Sequence, residues 1–139
     1  MQDDLFGAPP APPAPPPASG PADAAPAKRG QGLKVRPAPQ DDALHALAQA
    51  LPPQLRMGTS SWTYPAWNGL VWDAVYEAPQ LSKQGLAAYA AHPLLRTVSL
   101  DRNFYRPLTV SQYQRYAEQV PEDFRFVVKA PSLVTDALV

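Results

Sequence analysis

The 139-residue chain contains no cysteine and carries no net charge, because 12 lysines and arginines balance 12 aspartates and glutamates. The lack of cysteine excludes a disulfide framework and thiolate chemistry. The charge balance argues against binding that is dominated by nucleic-acid phosphates or by an anionic membrane surface. The sequence has no run of 18 apolar residues, and its start has neither the basic region nor the apolar core of a signal peptide. We therefore expect a cytoplasmic protein that does not bind membranes.

Aromatic residues are scarce in the first part of the chain. Residues 1–53 hold one aromatic residue, Phe6, but 13 of the 19 prolines. Proline cannot donate a backbone hydrogen bond and favours the extended polyproline II conformation. With so little apolar surface to bury, such a segment cannot offset the entropy cost of ordering. The sequence therefore predicts a disordered Pro/Ala-rich tail over residues 1–40, which is a ligand for a proline-binding module, a weak electrostatic tether or a solvated extension.

A short helix or linker is predicted over residues 41–53. Acidic residues begin the segment, and Leu44, Leu47 and Leu51 follow the spacing of one helix face. Two prolines at residues 52–53 end it.

From residue 54 onward, strand and helix signals alternate. Ser82 is expected to cap a helix that runs to His92, and Thr109 with Gln112 forms a capping box for a second helix. This order predicts an α/β fold in which parallel strands are joined by right-handed crossovers. Three parallel strands cannot close a barrel, so the segment is either a small open sheet or the first part of a larger domain. The predicted strands are 55–59, 95–100 and 124–129.

Three blocks of this region resemble the YecE-like family, also called domain of unknown function 72. Residues 57–69 (MGTSSWTYPAWNG) resemble the family's opening motif, and residues 98–106 and 121–131 match two further blocks. The resemblance implies that residues 54–139 are the N-terminal part of an incomplete (β/α)8 TIM-type barrel, with its first three parallel strands and two helices. The family has no assigned reaction, so the resemblance carries a fold and a site location. Ser99 and Asp101 depart from the glutamate and asparagine that are usual in the family.

The barrel fold places reactive groups at the carboxyl ends of the strands and in the loops that follow. Val98 and Leu100 share one face of the second strand and are expected to meet the outer helices. Asp101 belongs to the opposite face of that strand and Lys129 to the corresponding face of the third strand, and both faces are expected to point into the barrel. Asp101 and Lys129 end neighbouring strands, and we predict them to be catalytic as an acid–base or substrate-orienting couple. A desolvated Lys129 is also able to form a Schiff base. The alternative is a structural ion pair.

Aromatic rings dominate the loop after the first strand. They either stack on sugar or base faces or give the loop its own small core, and we expect packing for most of them. The rings nearest the strand end are the expected ligand contacts, and a nearby arginine suits an anionic ligand. The predicted ligand-binding residues are Ser60, Trp62, Tyr64, Asn103, Tyr105 and Arg106.

Several other chemistries lack their sequence signals. His45 and His92 do not have the spacing of zinc ligands, and the chain has neither a phosphate-binding Walker loop nor a dinucleotide fingerprint. No metal site is predicted, no particular cofactor is indicated, and a small-molecule ligand is the expected partner. Three hypotheses remain for the function. The domain is an enzyme acting on a small polar or anionic substrate, a non-catalytic barrel that binds a ligand or nucleic acid, or an inactive truncated chain.

Overall fold

The computed structural model describes residues 34–136. It contains three strands, six α-helices and one 3-10 turn at Pro65–Trp67. The strands are β1 (Met57–Thr59), β2 (Leu95–Leu100) and β3 (Arg125–Val128). The helices are α1 (Asp42–Ala50), α2 (Ala78–Gln84), α3 (Leu86–Ala90), α4 (Arg102–Tyr105), α5 (Val110–Ala117) and α6 (Ser132–Thr135).

The three strands form one parallel sheet in the order β1-β2-β3. This confirms the predicted α/β class and the parallel arrangement of the strands. The bounds of β2 agree with the prediction, and β1 and β3 lie within the predicted segments. Within the described residues the sheet is a three-stranded layer in which β2 is central.

The helix-covered face of the sheet carries the main core. Val98 and Leu100 are 0% and 2% exposed, and they belong to one buried cluster with Leu86 and Tyr89 of α3. Phe124, directly before β3, joins the same cluster. The apolar face that the alternation of β2 predicted is therefore confirmed. Burying these side chains removes their apolar surface from water and holds α3 against the sheet.

The strands β1 and β2 approach each other too closely for a side chain at Gly58. A Cβ atom at this position would lie 2.0 Å from the carbonyl oxygen of Thr97. The β1–β2 register also shifts between Met57 and Gly58. The glycine thus permits the contact that brings the end of β1 beside β2.

The predicted capping box of α5 is confirmed, but the predicted cap at Ser82 is wrong. The Asp41 side chain accepts from the Leu44 amide at 2.8 Å, and Thr109 with Gln112 forms the complete capping box. Ser82 lies inside α2, which begins at Ala78 and has a proline in its first turn. Proline suits that position because its fixed φ is helical and its missing N–H has no partner there anyway. Gly85 then separates α2 from α3, so the single predicted helix is two short ones.

The predicted disordered tail does not reach residue 40. The Ala38 amide donates to the Val71 carbonyl at 2.8 Å, and the Asp73 amide donates to the Arg36 carbonyl at 3.1 Å. Val35 is buried in the main core. Residues 34–40 therefore pack against the aromatic loop, while residues 1–33 of the predicted tail lie outside the described residues. Among the helices of residues 34–136, none combines the length and apolar character needed to span a bilayer.

Candidate functional site

A cleft of about 580 Å³ opens at the carboxyl ends of β1 and β2. Its walls are the loop after β1, the first part of α2, and the turn from β2 into α4. This is the end of a parallel sheet at which ligands bind in α/β proteins. Hydroxyl side chains make up much of the polar lining: Ser60, Ser61, Thr63, Ser82 and Ser99.

The cleft brings together four of the eight predicted site residues, which are Ser60, Trp62, Asp101 and Tyr105. Tyr64 lines an adjoining cavity of about 320 Å³ that shares Ser60 with the cleft. The three remaining predicted residues are not among those that line the cleft: Asn103, Arg106 and Lys129.

Asp101 is held in the cleft by its neighbour on the same strand face. The Ser99 hydroxyl donates to Oδ1 of Asp101 at 2.5 Å, which is a short hydrogen bond to a charged acceptor. Oδ2 of Asp101 has no hydrogen-bond partner within residues 34–136. The carboxylate is thus fixed by one oxygen while the other remains available to a ligand.

The predicted couple of Asp101 and Lys129 is not assembled in this structure. Lys129 is exposed, and its Nζ lies 5.0 Å from the centroid of the Phe104 ring. In the described part of the chain the ion pair joins Arg96 to Asp123 instead. The reason is local, because Ser99 holds the carboxylate and the ring of Phe104 attracts the ammonium group. An exposed amine also lacks the desolvation that a Schiff-base lysine needs.

Asn103 has a structural set of partners. The side chain is 4% exposed, and its Nδ2 donates to the Lys129 carbonyl at 2.7 Å. Its Oδ1 accepts from the Leu108 amide and from the Tyr113 hydroxyl, both at 2.9 Å. Asn103 therefore joins the end of β3 to the start of α5, and its hydrogen-bonding groups are already engaged inside the protein.

Most rings of the aromatic loop after β1 pack inside the protein, as predicted from the sequence. Trp62, Trp72 and Tyr76 are buried, and Trp67 packs against their cluster. Tyr64 is the exception, with 55% of its surface exposed. The rings thus give the long loop a core that fixes its path over the end of the sheet.

Trp62 differs from the other buried tryptophan in its hydrogen bonding. Nε1 of Trp72 donates to the Tyr64 carbonyl at 2.9 Å. Nε1 of Trp62 is buried and has no partner within the described residues, although Trp62 lines the cleft. Buried polar groups are nearly always satisfied, and an unpaired donor costs about 1–3 kcal/mol. Sequence reasoning identified Trp62 only by its place in the loop, because pairing of the indole is decided by tertiary contacts.

A second cavity of about 430 Å³ lies beside the cleft. Three arginines line it, namely Arg102, Arg106 and Arg115. Arg102 also lines the cleft, so the two cavities share a wall. Of these arginines, Arg106 was predicted from the sequence as a ligand-binding residue, because its position after the second strand suits an anionic ligand. Arg115 on α5 was missed, since its sequence position carries no signal that it returns to this loop.

No group of three potential metal-ligating side chains occurs within residues 34–136. The titratable groups whose pKa is clearly shifted there are Tyr76, Tyr89 and His92. Burial is the main cause of each shift, raising the pKa of the two tyrosines and lowering that of the histidine. These three residues are not among those that line the cleft or the arginine cavity. The shifts therefore reflect the packed core.

The sequence matches the family described as a protein of unknown function, DUF72, over residues 56–138. The match covers more than half of the chain, and the protein therefore belongs to this family. This confirms the resemblance that the three sequence blocks indicated. Comparisons with curated proteins and with solved structures found no match. The family description assigns no activity.

Proposed function

We propose that the cleft at the ends of β1 and β2 binds a small polar or anionic ligand. We further propose that the sheet is the opening part of a TIM-type barrel, in which this cleft is one side of the ligand site. Within residues 34–136 no strand pairs with the outer edge of β3, and this supports the barrel because a fourth parallel strand would be added at that edge. The cytoplasmic location expected from the sequence stays a prediction.

The observation that carries the proposal is the unpaired indole N–H of Trp62. Trp62 lines the cleft, and its indole N–H is buried. No hydrogen-bond acceptor for this N–H lies within the described residues. A ligand oxygen would satisfy the donor and remove the cost of leaving it unpaired. The hydroxyl groups around the cleft add donors and acceptors that suit a ligand rich in oxygen.

Asp101 is the proposed acid–base residue of an enzymatic site. Its Oδ2 is available, and the Ser99 hydroxyl holds the other oxygen in place. A positioned carboxylate of this kind accepts a proton from a substrate hydroxyl or holds one for donation. Such chemistry fits a hydrolase, a lyase or an isomerase. For Lys129 to take part as predicted, its ammonium group has to leave the Phe104 ring and reach the cleft.

The alternative of a nucleic-acid-binding barrel depends on exposed rings on which bases stack. The three tryptophans are buried or packed against the core, which leaves Tyr64 and Tyr105 as the exposed rings near the site. Two separated tyrosines are a small platform for a strand of bases. The geometry therefore favours a compact polar ligand.

Indole NMR signals test the proposal directly. D-Glucose serves as a neutral, oxygen-rich probe, and the Trp62→Phe variant assigns the Trp62 signal. We expect the Trp62 N–H to shift as the sugar binds, whereas the Trp72 N–H stays in place because the Tyr64 carbonyl already satisfies it. Asp101→Asn should weaken binding roughly tenfold, as expected for one lost charge-assisted hydrogen bond of ~1.5 kcal/mol.

The matched control is Asp123→Asn, which removes the same charge at the Arg96 ion pair outside the cleft. Affinity for the probe should be unchanged in this variant. Equal shifts of both tryptophan signals, or equal losses in the two aspartate variants, would refute a ligand site in the cleft.

A further inference from the structure

Three arginines line the arginine cavity beside the cleft, and none of them has a counter-ion within the described residues. Arg102, Arg106 and Arg115 line its 430 Å³, and none of the other lining residues is acidic. Within residues 34–136 the ion pair joins Arg96 to Asp123, so none of the three arginines is paired there. Like charges gathered around one cavity repel each other, and an anion bound between them relieves the repulsion.

Arg102 is oriented by neutral partners. Nη1 of Arg102 donates to the Tyr116 hydroxyl at 2.9 Å, and Nη2 lies 3.5 Å from the Ser82 hydroxyl. These contacts hold the guanidinium group without cancelling its charge. The other polar lining residues, Thr109 and Gln112, bond to each other in the capping box of α5. The positive charge of the cavity therefore comes from the arginines.

We infer that this cavity binds the phosphoryl group of a phosphorylated polyol, such as a sugar phosphate, whose hydroxyl-bearing part occupies the cleft. The inference rests on the proposed function of the cleft. Arg102 lines both cavities, so one ligand is able to extend from the hydroxyl-rich cleft into the arginine cavity. Arginine offers a planar fork of donors that matches phosphate oxygens, and several forks can surround one tetrahedral group.

A phosphomonoester fits this cavity better than a nucleic-acid strand. A monoester carries about −1.5 to −2 charge at neutral pH, concentrated on three terminal oxygens. A strand of phosphodiesters carries one charge per phosphate and needs a basic track along its length. The chain has no net charge, and the arginines surround one cavity.

Titration of the full 139-residue chain with glucose 6-phosphate, glucose and inorganic phosphate tests the inference. Sodium chloride holds the ionic strength constant, since exposed charges are screened by salt. We expect glucose 6-phosphate to bind at least roughly tenfold more tightly than glucose and to shift the Trp62 indole signal. The double variant Arg106→Gln/Arg115→Gln should remove this advantage and leave the affinity for glucose unchanged.

Arg56→Gln is the matched control. Arg56 lies outside both cavities, and its side chain donates to the Asp123 carbonyl at 3.3 Å. The variant loses one arginine charge and should keep the preference for the phosphorylated sugar. The side chains of Arg106 and Arg115 make no hydrogen bond or ion pair within residues 34–136, so their replacement should preserve the fold. The melting temperatures of the double variant and of the two single variants test whether the fold is preserved.

The outcomes separate the two proposals. Equal affinity for glucose and glucose 6-phosphate, with a shift of the Trp62 signal, would overturn the phosphoryl site and leave the cleft proposal intact. Binding of phosphate that depends on Arg106 and Arg115, without a Trp62 shift for either sugar, would support the arginine site and refute the cleft. Tighter binding of a short single-stranded DNA than of glucose 6-phosphate would overturn the assignment to a small molecule.

Discussion

Replacing Tyr89 with phenylalanine should destabilise the site end of the sheet while preserving its packing. Tyr89 is fully buried, and its hydroxyl joins the two strands that form the cleft. The hydroxyl accepts from the Thr59 amide and donates to the Thr97 carbonyl, each at 3.0 Å. Burial raises the pKa of Tyr89, so the phenol stays protonated and remains a donor. The substitution removes this oxygen and leaves the ring in place.

The expected loss of unfolding free energy is about 3 kcal/mol, because two half-buried backbone groups each lose a partner at about 1–3 kcal/mol. The Thr59 hydroxyl, which lies 2.9 Å from the same oxygen, retains its bond to the Ser61 carbonyl. Tyr113→Phe is the matched control. Its hydroxyl donates to Oδ1 of Asn103, which also accepts from the Leu108 amide, so the expected loss is about 1 kcal/mol.

Urea denaturation of both variants measures the difference, and hydrogen exchange locates it. The exchange rate of the Thr59 amide should rise in Tyr89→Phe and stay unchanged in Tyr113→Phe, because only the first variant removes the acceptor of this amide. Equal losses of stability in the two variants, or an unchanged Thr59 exchange rate in Tyr89→Phe, would refute the role assigned to this hydroxyl. Thr59 precedes the loop that forms one wall of the cleft, so Tyr89→Phe should also weaken ligand binding.

Three further predictions concern the rest of the fold. Gly58→Ala should cost about 3 kcal/mol or more in urea denaturation, because the new methyl group meets the Thr97 carbonyl at 2.0 Å. Val35→Ala should cost about 1–3 kcal/mol, whereas exposed Val134→Ala should be nearly neutral; equal effects would contradict the packing of residues 34–40. Burial lowers the pKa of His92 below its ordinary value of 6.5, so at mildly acidic pH the unfolded chain binds more protons than the folded chain. The free energy of unfolding should therefore fall as the pH decreases through 6.5 towards the lowered pKa. Replacing this histidine with glutamine should flatten the pH dependence.

The sequence predicted correctly those elements whose determinants lie within a few residues of each other. The Thr109 capping box needs only residues 109–112, and the last three residues of β2 alternate between buried and half-buried positions. Both were read correctly because their determinants lie within a few residues of each other. Pro79 is a comparable local signal for the start of α2, and it outweighs the capping preference of Ser82.

The features that the sequence did not predict depend on contacts between residues that are far apart in the chain. Val35 follows a long Pro/Ala-rich stretch, yet the aromatic loop buries it. Asp101 and Lys129 end adjacent strands as predicted, but their side chains turn to Ser99 and Phe104. Strand order places such residues near one another, whereas the choice of partner depends on the side chains that surround them.

The three consecutive residues after β2 have different roles at the site. Asp101 lines the cleft, Arg102 lines both cavities, and Asn103 fastens β3 to α5. Tyr116 of α5 completes the connection, because its hydroxyl accepts from Arg102 and its ring packs edge-on against Trp62 at 5.3 Å. The same helix therefore supports one residue in each cavity. A ligand that bridges the cavities would engage groups already linked through Tyr116, so part of the ordering cost of binding is met by the folded chain before the ligand arrives.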